Sequence, residues 1–147
     1  MAITSKKSHQ SSSPRIRSIG EDMVLVEFEQ RIDLTINKRA HTLAAEIEHA
    51  TDAGQIVGIT EVIPAYCSVL TYYDPDQTCQ TTVVKQISQL AGRRISKTSQ
   101  TSRLFRIPTA YTPKYGPDLD DVAQAANMTR NEVIERFSTT IFPVYCL

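Results

Sequence analysis

The side chains that could do chemistry in this chain are few and widely spaced. His41 and His49 lie eight positions apart in a helical pattern, which separates them by about 12 Å along the helix axis. One metal ion cannot bridge that distance, so we interpret both as solvent-facing polar residues. Asp118, Asp120 and Asp121 begin a predicted helix, where the positive end of the helix dipole already favours carboxylates. Neither group predicts a metal site.

Motifs that cradle phosphates or activate a nucleophile are absent from the sequence. With five glycines in 147 residues, neither G-x-G-x-x-G nor G-x-x-x-x-G-K-[ST] can be drawn. There is no G-x-S-x-G motif, and spacing identifies no His partner for any cysteine. The catalytic residues therefore stay unassigned, and we predict that the chain itself binds no cofactor.

Positive charge is concentrated in one stretch. Six basic residues and no acidic residue lie between positions 85 and 106: Lys85, Arg93, Arg94, Lys97, Arg103 and Arg106. We favour a solvated helix face followed by a linker, with nucleic acid or another anionic ligand as the alternative. Aromatic side chains usually accompany basic ones where single-stranded nucleic acid binds, and none occurs here before Phe105. Nucleic acid is therefore not the expected partner.

The composition is that of a globular chain. Hydrophobic residues make up 41% and charged residues 22%, with 16 basic against 16 acidic side chains. This balance excludes a histone-type binder, and no apolar run approaches the roughly 18 residues that cross a bilayer. Cys67, Cys79 and Cys146 form no C-x-x-C pair, which favours reduced thiols and a cytoplasmic location. No secretory signal pattern follows Lys6 and Lys7.

The strands and the helix of the first half are predicted from changes in the spacing of apolar residues. Alternating residues in Arg15–Ile19 and Met23–Phe28, separated by a Gly-containing turn, predict a hairpin. Asp33 or Thr35 can cap a following helix, and Gly54 lies just beyond its end. The apolar face of that helix has three- and four-residue steps: Ile36, Ala40, Leu43, Ala44 and Ile47.

A second group of elements follows this helix. Ile56–Ile63 and Ser68–Tyr73 are predicted strands, and Thr82–Ala91 is a predicted helix that ends at Gly92. The order strand, helix, strand, strand, helix is that of a ferredoxin-like sandwich if Arg103–Ile107 adds a last strand. The predicted fold class is therefore α+β.

Two short helices and a terminal strand are predicted in the second half. Thr129 and Glu132 form a capping box for the second helix. Phe142–Leu147 is predicted to be a strand at the end of the chain, so we expect the second domain to be incomplete. The apolar face of the first helix consists of Leu119, Val122, Ala123 and Ala126.

Three segments together carry a family resemblance. They are the hairpin Arg15–Phe28, the run Pro64–Pro75 with its Pro-Ala-Tyr and Thr-Tyr-Tyr-Asp-Pro motifs, and Ile107-Pro108 followed by Tyr115-Gly116-Pro117-Asp118-Leu119 and Glu132-Val133-Ile134. From Arg15 onward the chain resembles the family of 5-oxoprolinase B subunits, also known as allophanate hydrolase subunit 1 or Kip-type kinase inhibitors. It is also similar to part of the carboxyltransferase domain of urea amidolyase.

The resemblance implies a domain layout and a set of partners. It implies a ferredoxin-like domain at 14–95 followed by the start of a cyclophilin-like β-barrel carboxyltransferase domain at 103–147. Polar sequence without hydrophobic periodicity predicts a linker at 96–102 and a disordered tail at 1–13. The resemblance also implies pairing with two other proteins of the complex, a carboxyltransferase-like C subunit together with a lactam-handling A subunit. Such complexes use ATP as a co-substrate to hydrolyse the lactam of 5-oxoproline to glutamate.

The chain also departs from the family pattern. Cys67 stands where family members commonly have an Arg after Pro-Ala-Tyr. Phe137 stands where a His often precedes the Ser of the second short helix, and Ala110-Tyr111-Thr112 stands where Cys-Tyr-Gly is usual. Leu147 ends the chain before a groove-lining Gly-Phe-x-Pro-Gly-Phe segment. We therefore expect no activity from the chain alone. The alternatives are a regulatory module that inhibits a sensor histidine kinase and an inactive truncated fragment.

Five residues are carried over from the resemblance for ligand or partner contact: Tyr66, Tyr115, Gly116, Pro117 and Asp118. Gly116 is expected to permit a turn with positive φ, and Pro117 suits the first helical position. Asp118 is expected to accept backbone N–H bonds at the helix start. A purely structural turn with a cap is the alternative for all five.

Overall fold

The computed structural model describes residues 13–93 and 103–146. The chain divides into two compact units, which we call unit 1 (Met1–Thr98 with Tyr145–Leu147) and unit 2 (Ser99–Val144). The predicted tail at 1–13, except for Ser13, and the whole predicted linker at 96–102 lie outside the described residues. In the described part, the fold is mixed α/β, with a four-stranded antiparallel sheet and four helices.

The sheet of unit 1 is built from β1 (Arg15–Ile19), β2 (Met23–Glu27), β3 (Ile59–Pro64) and β4 (Ser68–Tyr73). The described strands follow the order β1-β2-β4-β3, and every neighbouring pair is antiparallel. The predicted β1–β2 hairpin is confirmed, and its turn contains Gly20 at a φ of 64°.

Two helices of unit 1 pack on one face of this sheet. They are α1 (Leu34–Asp52) and α2 (Gln80–Ala91). The predicted cap of α1 is confirmed at Asp33, whose Oδ1 accepts from Thr35 N at 2.8 Å and from Ile36 N at 3.2 Å. The chain leaves α1 at Gly54, which takes a φ of 70°. Both ends of α1 are therefore set by residues that the sequence identified.

The core of unit 1 lies between the sheet and these helices. Because successive side chains of a strand point to opposite faces, every second residue of β2 and β4 is buried. Each full burial of such a side chain contributes about 1.5–3 kcal/mol. The core residues of the strands and helices include Val24, Val26, Val69, Ile36, Ala40, Ile47, Val83 and Ile87.

The predicted start of β3 at Ile56 is wrong by three residues, since the strand begins at Ile59. Gly58 interrupts the extended backbone with a φ of 83°. Ile56 is instead a buried core residue, whose backbone N–H donates to Ala50 O at 3.1 Å. The β-branched run therefore begins with a core residue, Ile56, and its strand begins only at Ile59.

Unit 2 contains α3 (Leu119–Ala125) and α4 (Arg130–Thr139). The capping box is confirmed: Thr129 Oγ1 accepts from Glu132 N at 3.3 Å, and Glu132 Oε2 accepts from Thr129 N at 2.7 Å. Arg130 Nη1 donates to both Asp120 carboxylate oxygens at 3.1 and 3.2 Å, which connects the two helices.

The two predicted strands of the second half are wrong. Residues 103–107 and 142–146 form neither helix nor strand. In the described sheet β2 already has β1 and β4 on its two sides, which leaves no position beside it for a further strand. Pro143 removes a backbone donor from the second segment. None of the described helices is long and apolar enough to cross a membrane.

Candidate functional site

The β3–β4 connection of unit 1 presents Tyr66 at its tip. Ala65 N donates to Ser68 O at 2.8 Å, which closes a turn containing Tyr66 and Cys67. Phe28 N donates to Cys67 O at 2.9 Å and holds this turn against the end of β2. Tyr66 is 37% exposed, whereas Cys67 is 1% exposed. The turn therefore offers a phenol to solvent and keeps a thiol inside.

A buried amide on α1 holds this turn in place. Asn37 Nδ2 donates to the carbonyl oxygen of Tyr66 at 3.3 Å and to that of Tyr145 at 2.9 Å. Asn37 is only 7% exposed, so both bonds replace contacts with water. One side chain thus connects α1, the β3–β4 turn and residue 145, and we call this arrangement the Asn37 clasp.

His41 extends the clasp by one helical turn. Its Nε2 lies 3.2 Å from the carbonyl oxygen of Tyr145. Because a carbonyl oxygen only accepts, Nε2 carries the proton in this contact. The prediction of a solvent-facing residue is therefore wrong for the half-buried His41, while His49 is exposed as predicted. The four-residue spacing of Asn37 and His41 places them on one side of α1, which is the sequence signal that could have identified the pair.

The Tyr66 hydroxyl is a donor rather than a base. It donates to Gln30 Oε1 at 3.1 Å. A hydrogen bond with the Cys67 side chain raises the pKa of Tyr66, and the charge of Cys67, burial of the ring and the charge of Cys146 raise it further. The phenol therefore stays protonated around neutral pH, where it can bind a ligand or partner oxygen but not remove a proton.

The other four predicted residues lie together on one turn of unit 2. Tyr115 N and Gly116 N both donate to Thr112 O, at 2.9 and 2.8 Å. The Tyr115 ring is 66% exposed, and Lys114 Nζ lies 5.2 Å from its centroid. This turn leads directly into α3. Contact with a ligand or partner stays a prediction for these residues and for Tyr66.

Three local expectations for this turn are wrong. Gly116 does not adopt a positive φ, and a Cβ there would meet its nearest neighbours at 3.8 Å, an ordinary contact distance. Pro117 lies outside α3, because Asp118 is the N-cap. Asp118 makes no side-chain capping bond, since its ψ of 3° does not direct the carboxylate back towards the helix amides. Its backbone oxygen instead accepts from Val122 N at 3.0 Å.

Unit 2 exposes many large apolar side chains, and we call them the unit 2 apolar surface. No residue of α4 is buried, although a helix of a folded domain normally buries one apolar stripe. Phe137 contacts Tyr111 edge-on at 6.4 Å between ring centroids and Phe142 at 5.0 Å. The surface comprises Leu104, Phe105, Ile107, Tyr115, Val122, Phe137, Ile141, Phe142 and Val144, all at least 49% exposed.

Comparison with known families decides where the chain belongs. The family called carboxyltransferase domain, subdomain C and D, matches residues 14–147. The chain belongs to this family. All five predicted contact residues and the Asn37 clasp lie inside the matched region.

Similar proteins include both curated and structurally solved members. The chain is 26% identical to the B subunit of 5-oxoprolinase from Bacillus subtilis (strain 168), over 90% of this chain and 58% of that protein. It is 30% identical to a conserved uncharacterised protein of Pyrococcus horikoshii, with a TM-score of 0.50 over 88% of this chain and 57% of that one. The K. lactis urea amidolyase, at 22% identity and a TM-score of 0.60, shares the fold over 100% of this chain and 10% of its own.

Two further observations concern the site. The chain spans somewhat more than half the length of the B. subtilis and P. horikoshii relatives. Within residues 13–93 and 103–146, no three His, Cys, Asp or Glu side chains are placed to hold a metal ion. Among the described residues, Tyr66 offers an exposed hydrogen-bonding hydroxyl and unit 2 offers exposed apolar side chains.

Proposed function

We propose that this chain is the B-like component of an ATP-dependent 5-oxoprolinase, which converts 5-oxoproline to glutamate. In this proposal it is inactive alone and works only in a complex with a carboxyltransferase-like C subunit together with a lactam-handling A subunit. Membership of the carboxyltransferase family and the likeness to the 5-oxoprolinase B subunit support the assignment. The observation that carries the need for a partner is the unit 2 apolar surface.

Exposed apolar area of this kind is costly in water. Ile107 is 81% exposed, Ile141 73% and Val144 72%. Each such side chain forgoes about 1.5–3 kcal/mol of burial, and contiguous apolar patches on folded proteins mark interaction surfaces. A partner polypeptide that covers these side chains would recover this energy. This favours a component of a complex over a self-sufficient enzyme.

The finer fold assignment is part of the proposal. The sequence of elements β2-α1-β3-β4-α2, with β4 between β2 and β3, agrees with the core of a ferredoxin-like sandwich. In a ferredoxin-like sandwich the last strand of the chain lies at the sheet edge beside the first strand. Here β1 occupies that edge, beside β2. We assign 14–95 to this domain and 103–147 to the start of a cyclophilin-like barrel.

We assign ATP binding to another component of the complex. The starts of three described helices carry carboxylates: Asp33 at α1, Asp118, Asp120 and Asp121 at α3, and Glu132 at α4. These charges repel phosphate at the positions where helices usually bind it. A lactam amide is resonance-stabilised, so coupling its opening to phosphate transfer is chemically reasonable, and this chain would contribute contacts rather than catalytic groups.

The test is an assay of glutamate release from 5-oxoproline with ATP, for the chain alone and with the two presumed partner proteins. We expect turnover only in the complex. Ile141→Asp should abolish co-purification with the partners, whereas Ile32→Asp, a matched change at a residue of equal 73% exposure in unit 1, should not. Turnover by the isolated chain would refute the proposal. Inhibition of a sensor histidine kinase without binding to the two partner proteins would instead support the regulatory alternative.

A further inference from the structure

The Asn37 clasp holds together the residues that precede two of the three cysteines. Asn37 Nδ2 donates to the carbonyl oxygens of Tyr66 and Tyr145, the residues that immediately precede Cys67 and Cys146. The two cysteines are 79 positions apart in the sequence, yet each directly follows a carbonyl group that accepts from the same donor atom. The third, Cys79, precedes α2 and has its own contact, with Sγ at 3.1 Å from Thr82 Oγ1.

We propose that Cys67 and Cys146 are a redox pair that forms an intramolecular disulfide across the Asn37 clasp. The electrostatic environment of Tyr66 supports this juxtaposition, because the charges of both cysteines act on its hydroxyl and raise its pKa. The inference is independent of the proposed enzymatic function.

The two thiols differ in their access to solvent, so a stepwise exchange begins at Cys146. Cys146 is exposed and Cys67 is buried. With a small disulfide such as oxidised glutathione as the oxidant, the Cys146 thiolate attacks one sulfur and releases one small thiolate, which takes up a proton. The Cys67 thiolate then attacks the Cys146 sulfur and displaces the second small thiolate. Two protein thiols are oxidised, and the small disulfide is reduced to two thiols.

Cys146 lies in a segment without regular secondary structure. A disulfide requires Cα atoms about 4.4–6.8 Å apart. Residues 142–146 form neither helix nor strand, and in the described contacts Tyr145 is held through its carbonyl oxygen. A shift of Cys146 towards Cys67 would therefore break no hydrogen bond of the described sheet. The bond would fasten the β3–β4 turn, with Tyr66 at its tip, to the carboxyl-terminal segment.

The experiment treats the full chain with oxidised glutathione and maps disulfides in unreduced peptides. Cleavage at Asp separates Cys67 from Cys79, because Asp74 and Asp76 lie between them. We expect a peptide containing Cys67 linked to one containing Cys146 in the natural chain and in Cys79→Ser, reversible by dithiothreitol. Cys146→Ser, which removes an exposed thiol, should lose the link. Asn37→Ala should slow its formation by roughly tenfold, because the clasp sets the local concentration of one thiol near the other.

Three results would overturn the inference. They are a link that involves Cys79, a chain-to-chain dimer through Cys146, and a stable glutathione adduct on Cys146 while Cys67 stays reduced. Because the mapping on the natural chain alone separates these outcomes from the expected one, the conclusion does not depend on whether a variant folds.

Discussion

The Nδ2 atom of Asn37 lies 2.9 Å from the carbonyl oxygen of Tyr145, a residue 108 positions further along the chain. The same atom donates to Tyr66 at 3.3 Å. A single amide in the first turn of α1 therefore organises two distant segments. One of them carries the Tyr66 side chain that we predict to contact a ligand or partner. The stability of this turn and its availability for binding should depend on Asn37.

Replacing Asn37 by Ala should lower the free energy of unfolding by about 1–3 kcal/mol, because the carbonyl oxygen of Tyr66 loses this buried donor and that of Tyr145 keeps only the contact with His41. Chemical denaturation of the full chain measures this. His49→Ala, on the exposed side of the same helix, is the control and should stay within about 0.5 kcal/mol of the natural chain. Equal midpoints for Asn37→Ala and the natural chain would contradict a stabilising role of the clasp.

Much of the local structure could be predicted from the sequence, because it depends on neighbouring residues. The Asp33 cap, the Thr129–Glu132 box and the β1–β2 hairpin each need only a few adjacent side chains and a turn. The clasp could not be predicted in the same way, since Asn37, Tyr66 and Tyr145 meet only in the folded chain. The strand expected at 103–107 failed for a related reason: its apolar residues fit a strand, but the position beside β2 where it was expected is occupied by β1.

Thr71 in β4 tests how much a buried hydroxyl without a hydrogen-bond partner costs in stability. It is fully buried, and its Oγ1 has no hydrogen-bond partner in the described structure. Thr71→Val keeps the shape and removes the unsatisfied hydroxyl, so we expect stability to rise by about 1 kcal/mol or more. Thr71→Ala should instead destabilise the chain by leaving a cavity. A loss of stability in the Val variant, measured by thermal or chemical unfolding, would indicate an unseen partner for the hydroxyl.

The capping box of α4 should act as a local stability device. Thr129→Ala removes the acceptor for Glu132 N and should cost about 0.5–2 kcal/mol. Amide exchange in residues 130–139 should increase, while exchange in α1 stays unchanged. Thr109→Ala, a change at an exposed threonine of unit 2 outside any helix, serves as the control. Unaltered exchange in α4 would show that packing rather than the cap maintains this helix.

Asp33 should give the stability of unit 1 a defined pH dependence. The backbone N–H of Ile36, and next that of Thr35, lower the pKa of the Asp33 carboxyl in the folded chain. Because the folded pKa lies below the unfolded one, the stabilisation is present above the unfolded pKa and is lost as the pH falls through the folded pKa. Denaturation midpoints from neutral to acidic pH measure the effect. Asp33→Asn keeps a capping oxygen without the charge and should remove this part of the acid-dependent loss; an unchanged pH profile would exclude Asp33 as its source.

Gly58 and Gly54 form a matched pair that separates backbone strain from steric conflict. Both adopt a positive φ, 83° at Gly58 and 70° at Gly54. A Cβ at Gly54 would meet nothing within 4 Å, whereas at Gly58 it would lie 2.9 Å from Thr78 Cγ2 and 3.2 Å from Gln77 Cβ. Gly54→Ala should therefore cost only the backbone penalty of about 1–2 kcal/mol. Gly58→Ala should cost more, because the Asp74–Thr78 turn must also move.

The consequence of the Gly58 change should reach the site. Gly58 O accepts from Asp74 N at 2.7 Å, so this residue connects the start of β3 to the end of β4. Displacing Gly58 should loosen the pair of strands β3 and β4, whose connecting turn carries Tyr66. We expect amide exchange at Ala65 and Asp74 to rise in Gly58→Ala but not in Gly54→Ala. This rise should exceed the change that the difference in global stability between the variants explains. Equal losses of stability and equal exchange in the two variants would mean that φ alone matters and that the close approach of Thr78 is relieved without cost.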